Sequence, residues 1–392
     1  MKENGRGAGL VLGFTRDTRL YKTFFPLLII ISLQQLASIL VNLVDNVMLG
    51  RYTGVALSGA TLVNQYQFVL QQLAAGIGMG IVVLAGQYWG KKELEPIRRI
   101  IGLGIKMGLA AGLVFLALAL AVPEFMLGLL ADSQPVIDEG VKYLRILCFT
   151  YPIFGLSNSL MYALQSVETV MVGTLMSVST VCINVCLNYC LIYGNFGAPE
   201  LGVEGAAIAT LISRIVELAI ILFYVLKVDR KLRMKVRDLL RVDLSFLGSY
   251  VKVAAPLMAS GFFWGIAQAV QTSILGHLTP PAIAANSICA IIFHLLGVFG
   301  MSCASASSVT IAKTIGEGDM DRVKPYSISL QLIFILIGLV SGLAIFLSRD
   351  FVVGLYNTLS PEATQLTYQF LTVLSVTTVF SCYQYPVASG IV

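Results

Sequence analysis

The chain has 392 residues, of which 57% are hydrophobic and only 12% charged, with a mean hydropathy of +0.84. So much apolar surface excludes a soluble globular protein and defines an integral membrane protein. The net charge of +5 gives no ground for a nucleic-acid partner, because no basic stretch is interleaved with aromatic residues.

Apolar runs long enough to cross a bilayer predict ten helices, at about 24–44, 59–86, 100–122, 141–163, 170–193, 203–227, 247–275, 282–310, 324–348 and 364–388. The short alternating segments of a membrane β-barrel are missing. The first run follows Lys2, Arg6, Arg16, Arg19 and Lys22 but is too long for a signal peptide and has no cleavage pattern, so it is read as a retained span. With the N-terminus in the cytoplasm, the loops on that side hold Lys91, Lys92, Arg98 and Arg99, the dense group Lys227, Arg230, Lys231, Arg233, Lys235, Arg237 and Arg241, and Lys313, Arg322 and Lys324. The other side has Arg51, Lys142, Arg145 and Arg349, with Glu124, Asp132, Asp138 and Glu139. The positive-inside rule selects this orientation. The expectation is a multi-pass membrane protein with a cytoplasmic N-terminus.

The first span carries one acid. Asp45 lies in an apolar run with no other ionisable side chain between Phe24 and Met48. A carboxylate in hydrocarbon costs at least about 2.5 kcal/mol even on lenient insertion scales, so such groups face a polar interior and function there. Gln35, Ser38, Asn42 and Asp45 are three or four residues apart and share a helix face. Asn64, Gln67 and Gln71 form a second stripe, Asn184 and Asn188 a third, and Gln268 and Gln271 a fourth behind Trp264. A carboxylate with amide and hydroxyl oxygens suits a small hard cation, and without the cation it can take a proton. Arg214 and Glu217, three apart, read as an ion pair within the bundle.

Other patterns carry less. Cys182, Cys186 and Cys190 share a face without a His or acid at ligand spacing, and read as a packing surface rather than a metal site. His277 and His294 are isolated, and read as a loop and a packing residue. Gly76, Gly78 and Gly80, answered by Ser302, Ala304 and Ala306, allow close helix contact and form no phosphate loop. Gly316-Glu-Gly-Asp319 has the form seen in intramembrane aspartyl proteases, but it lies in a polar loop without a second intramembrane aspartate. No nucleophile and base pair or metal set points to an enzyme.

An internal repeat emerges at an offset of 226 residues: Leu49-Gly50 matches Leu275-Gly276, Ala56 matches Ala282, Gly90 matches Gly316 and Pro135 matches Pro361. An even number of spans separates the copies, so they share one orientation. Residue 392 answers Ser166, so the second copy is expected to need two further helices beyond the given chain. The fold class is therefore an all-α integral membrane protein of two parallel six-helix bundle repeats, the second incomplete, with ten helices present. Its expected parts are a cytoplasmic tail at 1–22, a first bundle at 23–228, a cytoplasmic linker at 229–246, and four of six helices of the second bundle at 247–392.

Five segments, 42–50 (NLVDNVMLG), 86–93 (GQYWGKKE), 183–194 (INVCLNYCLIYG), 196–210 (FGAPELGVEGAAIAT) and 284–287 (AANS), resemble the multidrug and toxic compound extrusion (MATE) transporters. The resemblance runs from about residue 20 to the end. It implies two bundles in a V around a central cavity, exporting organic cations against a sodium or proton gradient. Residue by residue, it implies a cation or proton site at Asp45, Asn184, Asn188 and Thr210, with sodium, where that is the ion, at Asp45. The departures lie in copy two. Where some members carry a seventh-span glutamate this chain has Gly261 or Trp264, a tenth-span aspartate falls at about Cys382, and the repeat sets Gln271 against Asp45.

The function that this resemblance implies is an ion-coupled secondary antiporter of the cell inner membrane for cationic or amphipathic small molecules. It would be a monomer in the bilayer, with no cofactor beyond the coupling ion. Gln34, Gln35, Asn64, Gln67, Tyr151 and Trp264 are the candidate cavity-wall residues. The alternatives are a lipid-linked precursor flippase of related fold, which would call for a more basic cavity, and a non-transporting or truncated membrane protein.

Overall fold

The computed structural model describes residues 10–11, 14–131, 133–240, 243–276, 280–354 and 360–388. Lys2, Arg6, Asp132, Arg241 and His277 lie outside them. A two-stranded antiparallel pair, β1 (Leu10–Val11) and β2 (Phe14–Thr15), precedes thirteen α-helices. These are α1 (Thr18–Tyr52), α2 (Gly54–Gly90), α3 (Leu94–Ala121), α4 (Pro123–Gly128), α5 (Gln134–Leu147), α6 (Thr150–Ser166), α7 (Met171–Tyr193), α8 (Gly202–Phe223), α9 (Val236–Leu240), α10 (Leu247–Gly276), α11 (Pro280–Gly316), α12 (Met320–Gly354) and α13 (Pro361–Ala388). Among the described residues nine helices are long and apolar enough to cross a membrane, or ten if a bent pair counts as one span.

That bent pair corrects the sequence reading. The run expected to form one span at 141–163 is broken into α5 and α6, which meet at 53°. Pro152 is the cause: it has no N–H to offer the Cys148 carbonyl four residues back, and its ring crowds that oxygen. The chain tightens there instead, with the Tyr151 amide donating to Cys148 and the Phe149 amide to Ile146.

Local signals set the other ends. The Asp17 carboxylate accepts from the Arg19 amide at the start of α1, and Thr53 separates α1 from α2 while its hydroxyl accepts from the Ala56 amide at 3.0 Å. Gly194 ends α7 in the left-handed region at φ +68°.

By its internal contacts the chain divides into two compact units, Leu33–Ile266 and Met1–Ser32 with Ala267–Val392. In the first unit one core gathers Ile81, Ile97, Ile100, Leu160 and Tyr250, and another gathers Leu49, Val63, Leu144, Ile192 and Val203. Helices α3 and α6 cross where Gly108 meets Gly155, and a Cβ on Gly155 would sit 2.1 Å from the Gly108 carbonyl oxygen. Backbone touches backbone there, which only glycine permits. The segment 229–246 is packed down: Leu232 and Met234 are buried, Lys231 Nζ donates to the Val167 carbonyl at 2.7 Å, and Arg98 Nε to that of Leu232 at 2.9 Å.

In the second unit a core joins Ile288, Ile345 and Leu371, and the N-terminal segment is fastened to α12. The Thr15 amide donates to Ser329 Oγ at 2.8 Å, and the Tyr326 hydroxyl to Asp17 Oδ2 at 2.6 Å. Arg322 Nε lies 3.6 Å from the same carboxylate. Burial alone would raise the Asp17 pKa, but the hydrogen bonds from Tyr326 and Arg19 and the charge of Arg322 outweigh it and hold the carboxyl below its ordinary value. A lowered folded-state pKa stabilises above the unfolded value, about 3.9, and the contribution is lost as pH falls through the folded one. Asp17→Asn is therefore expected to speed hydrogen exchange at the Thr15 amide at pH 7, while at the acid end of the scale variant and parent converge.

Candidate functional site

Asp45 is buried, and among the described residues it is the one Asp, Glu, Lys or Arg that is. It comes from the second half of α1 and meets the polar face of α7. Asn184 and Asn188 are one turn apart on that face, and Asn188 Nδ2 donates to Asp45 Oδ1 and to Asn184 Oδ1 at 3.0 Å. Asn184 Nδ2 in turn donates to Thr210 Oγ1 on α8 at 3.2 Å. Thr210 is also hydrogen-bonded to the Tyr143 hydroxyl, from α5 just before the break. Five buried side chains from four helices thus form one chain of hydrogen bonds.

The bookkeeping of donors and acceptors shows what the network lacks. Both described amide nitrogens point at oxygens within it, whereas Asn188 Oδ1 and Thr180 Oγ1 are buried without a partner. An orphaned buried acceptor costs about 1–3 kcal/mol. Asp45, Thr180, Asn184 and Thr210 line a small pocket whose enclosed space admits about one water-sized guest. The site therefore holds oxygens left without a donor and is sized for something small. Oxygens so placed could hold a small hard cation, or the carboxylate could take a proton.

The residues singled out in the sequence divide by location. Asp45, Asn184 and Thr210 line this pocket together with Asn42, Asn64 and Gln67, and Asn188 is bonded to the first two. Gln34 is buried against the start of α7 instead, where its Nε2 donates to the Val170 carbonyl; it fastens two helices. Gln35 lies partly buried, away from the pocket lining. Tyr151 is buried edge-on to Phe115 with its hydroxyl unpartnered, and Trp264 is exposed on α10. Cys182 and Cys186 are exposed on the opposite face of α7 from the asparagines, and His294 stacks edge-on against Phe293. Among the described residues no group of three His, Cys, Asp or Glu is placed to hold a metal.

Four polar side chains of the pocket were not singled out for it from sequence: Thr180, Arg214, Tyr143 and Ser213, whose hydroxyl donates to the Ala209 carbonyl at 2.8 Å. Thr180 had a signal, since it precedes Asn184 by four residues and continues its stripe. Arg214 lines the pocket as well, although its pairing with Glu217, at 2.7 Å, matches the reading of its spacing. Tyr143 gave none, because its place depends on the break after α5.

A bundle of membrane-crossing helices with one buried carboxylate in a hydrogen-bonded polar network is the architecture of a polytopic membrane transporter. The family model MatE matches residues 31–190 and 256–392, and the chain belongs to that family, the multidrug and toxic compound extrusion transporters. It is 27% identical over 294 residues to the probable multidrug resistance protein YoeA of Bacillus subtilis, covering 72% of this chain and 62% of that protein. It is 25% identical over 355 residues to a probable multidrug resistance protein NorM of Listeria monocytogenes, covering 90% of this chain and 77% of that one. Among solved structures, an outward-facing multidrug resistance MATE family transporter of the MOP superfamily superposes with a TM-score of 0.81 at 20% identity, covering 96% of this chain and 86% of that one. A MOP superfamily transporter from Pyrococcus furiosus gives 0.79 at 18% identity, covering 99% and 86%.

Proposed function

We propose that this transporter is an ion-coupled secondary antiporter of the inner membrane, with a cytoplasmic N-terminus, that exports cationic or amphipathic small molecules. The observation that carries the reading is the buried Asp45 carboxylate beside unpartnered oxygens in a pocket of ionic size. Sodium bound by Asp45, Asn188, Thr180 and Thr210, or a proton on Asp45, removes the negative charge from a region of low dielectric. The network then rearranges around α1, α7 and α8. Two occupants, ion and cargo, each favour a different arrangement of the same helices, and each therefore lowers the affinity of the other.

The test is efflux of a fluorescent cation from proteoliposomes holding the purified chain, under separate sodium and proton gradients. Efflux driven by one gradient and abolished by its collapse is the expected result. Equal rates with and without any ion gradient would refute ion coupling. Thr210→Val, which removes the acceptor for Asn184, is expected to raise the half-saturating ion concentration about five- to tenfold through that lost buried hydrogen bond.

A further inference from the structure

Of the described residues lining the pocket, two carry a full charge, Asp45 and Arg214. Arg214 is held in place from two sides. Its Nη1 lies 2.7 Å from Glu217 Oε2, while Ser157 on α6 donates to Glu217 Oε1 at 3.1 Å and the ring of Phe154 lies 5.4 Å from the guanidinium carbon. The two side chains are only 21% and 12% exposed, so desolvation offsets much of their attraction, and two apolar residues at these places on α8 would pack against α6 at no such cost. What an apolar pair could not supply is charge beside Asp45.

Asp45, Arg214 and Glu217 together carry one net negative charge. A single monovalent cation, or one proton, brings the cluster to neutrality; a divalent ion would leave an excess positive charge in a region that screens it poorly. Without Arg214 the cluster holds two negative charges, and without Glu217 it holds none.

We propose that the Arg214–Glu217 pair sets the net charge of the ion pocket at minus one and so makes it selective for a monovalent over a divalent cation. The pair touches no ion itself; it acts on the ion through its field. This proposal rests on the reading of Asp45 as the ion site.

The experiment is thermal unfolding of the purified chain in detergent, titrated with calcium chloride and sodium chloride at constant ionic strength. Arg214→Gln is expected to gain stabilisation by calcium, at a half-saturating concentration at least about tenfold below that of the parent and of Arg214→Lys, which keeps the charge. Equal calcium responses of Arg214→Gln, Arg214→Lys and the parent would overturn the proposal. Arg214→Gln/Asp45→Asn separates the two ideas: calcium binding that survives the loss of Asp45 would remove the ion site itself and the proposal with it, whereas its disappearance supports both. If Arg214→Gln does not fold, Glu217→Gln carries the test in proteoliposomes, where the half-saturating concentration of the driving ion is expected to rise about tenfold. An unchanged value would overturn the proposal, because loss of a pair that only packs α8 against α6 would lower stability without moving ion affinity.

Discussion

Asp45→Asn is expected to abolish ion-driven efflux while leaving the chain folded. The substitution keeps the shape of the side chain but removes its charge, and the amide that replaces a carboxylate oxygen is a donor. Its nitrogen would either face the Nδ2 of Asn188, two donors meeting in a buried site, or turn to leave a weaker neutral acceptor in place of the carboxylate. Charge-assisted hydrogen bonds are about twice as strong as neutral ones. Losing the carboxylate is expected to weaken ion binding by about a hundredfold, or about 2.7 kcal/mol. Removing a buried charge also relieves its desolvation, so thermal stability without ions should be equal or higher than in the parent. The measurement is dye efflux in proteoliposomes beside thermal unfolding in detergent. Parental efflux rates under the driving gradient would contradict the role given to Asp45.

The second large effect concerns stability alone. Gly155→Ala sets a Cβ 2.1 Å from the carbonyl oxygen of Gly108, and in the reverse direction Gly108→Ala sets one 2.5 Å from that of Gly155. Neither obstacle is a side chain that can turn away, so α3 and α6 must part. The Ser159 hydroxyl, which bonds the carbonyls of Gly104 and Gly155 at this crossing, would lose its register. Gly155→Ala is expected to cost about 3 kcal/mol, at the upper end for overpacking, and Gly155→Val to prevent folding. Thermal unfolding of the purified variants checks both, and a Gly155→Ala midpoint within a degree or so of the parent would show that the crossing can relax.

The helical class, the apolar runs and the family were all legible in the sequence because each rests on long, redundant signals. A run of twenty apolar residues survives many local exceptions. Asp45 was legible for the opposite reason: one costly residue in a uniform run demands an explanation. The spacing of Asn184 and Asn188, and of Arg214 and Glu217, showed which side chains share a face, since helical geometry is the same everywhere. What stayed hidden depends on where helices meet. Gln34 looks like any intramembrane amide until α7 begins beside it and the Val170 carbonyl, which also takes the Gly173 amide, faces its Nε2. The charged segment around Lys231 has the composition of a solvated tether, and only the carbonyls of Val167 and Glu168 show that it is docked. Pro152 was visible as a residue, but proline near the start of a helix is harmless, and the sequence did not mark where α6 starts.

The break at Pro152 has a mechanical meaning. Its two arms rest on one helix at two heights: Tyr143, on the α5 arm, holds Thr210, and Ser157, on the α6 arm, holds Glu217. Thr210 and Glu217 are seven residues apart, two turns along the same side of α8. If the elbow opens or closes while α8 stays straight, at least one of these grips must slip. The angle between α5 and α6 and the hydrogen bonds around Asp45 therefore form a single linkage, in which the proline is the pivot and α8 the rigid bar.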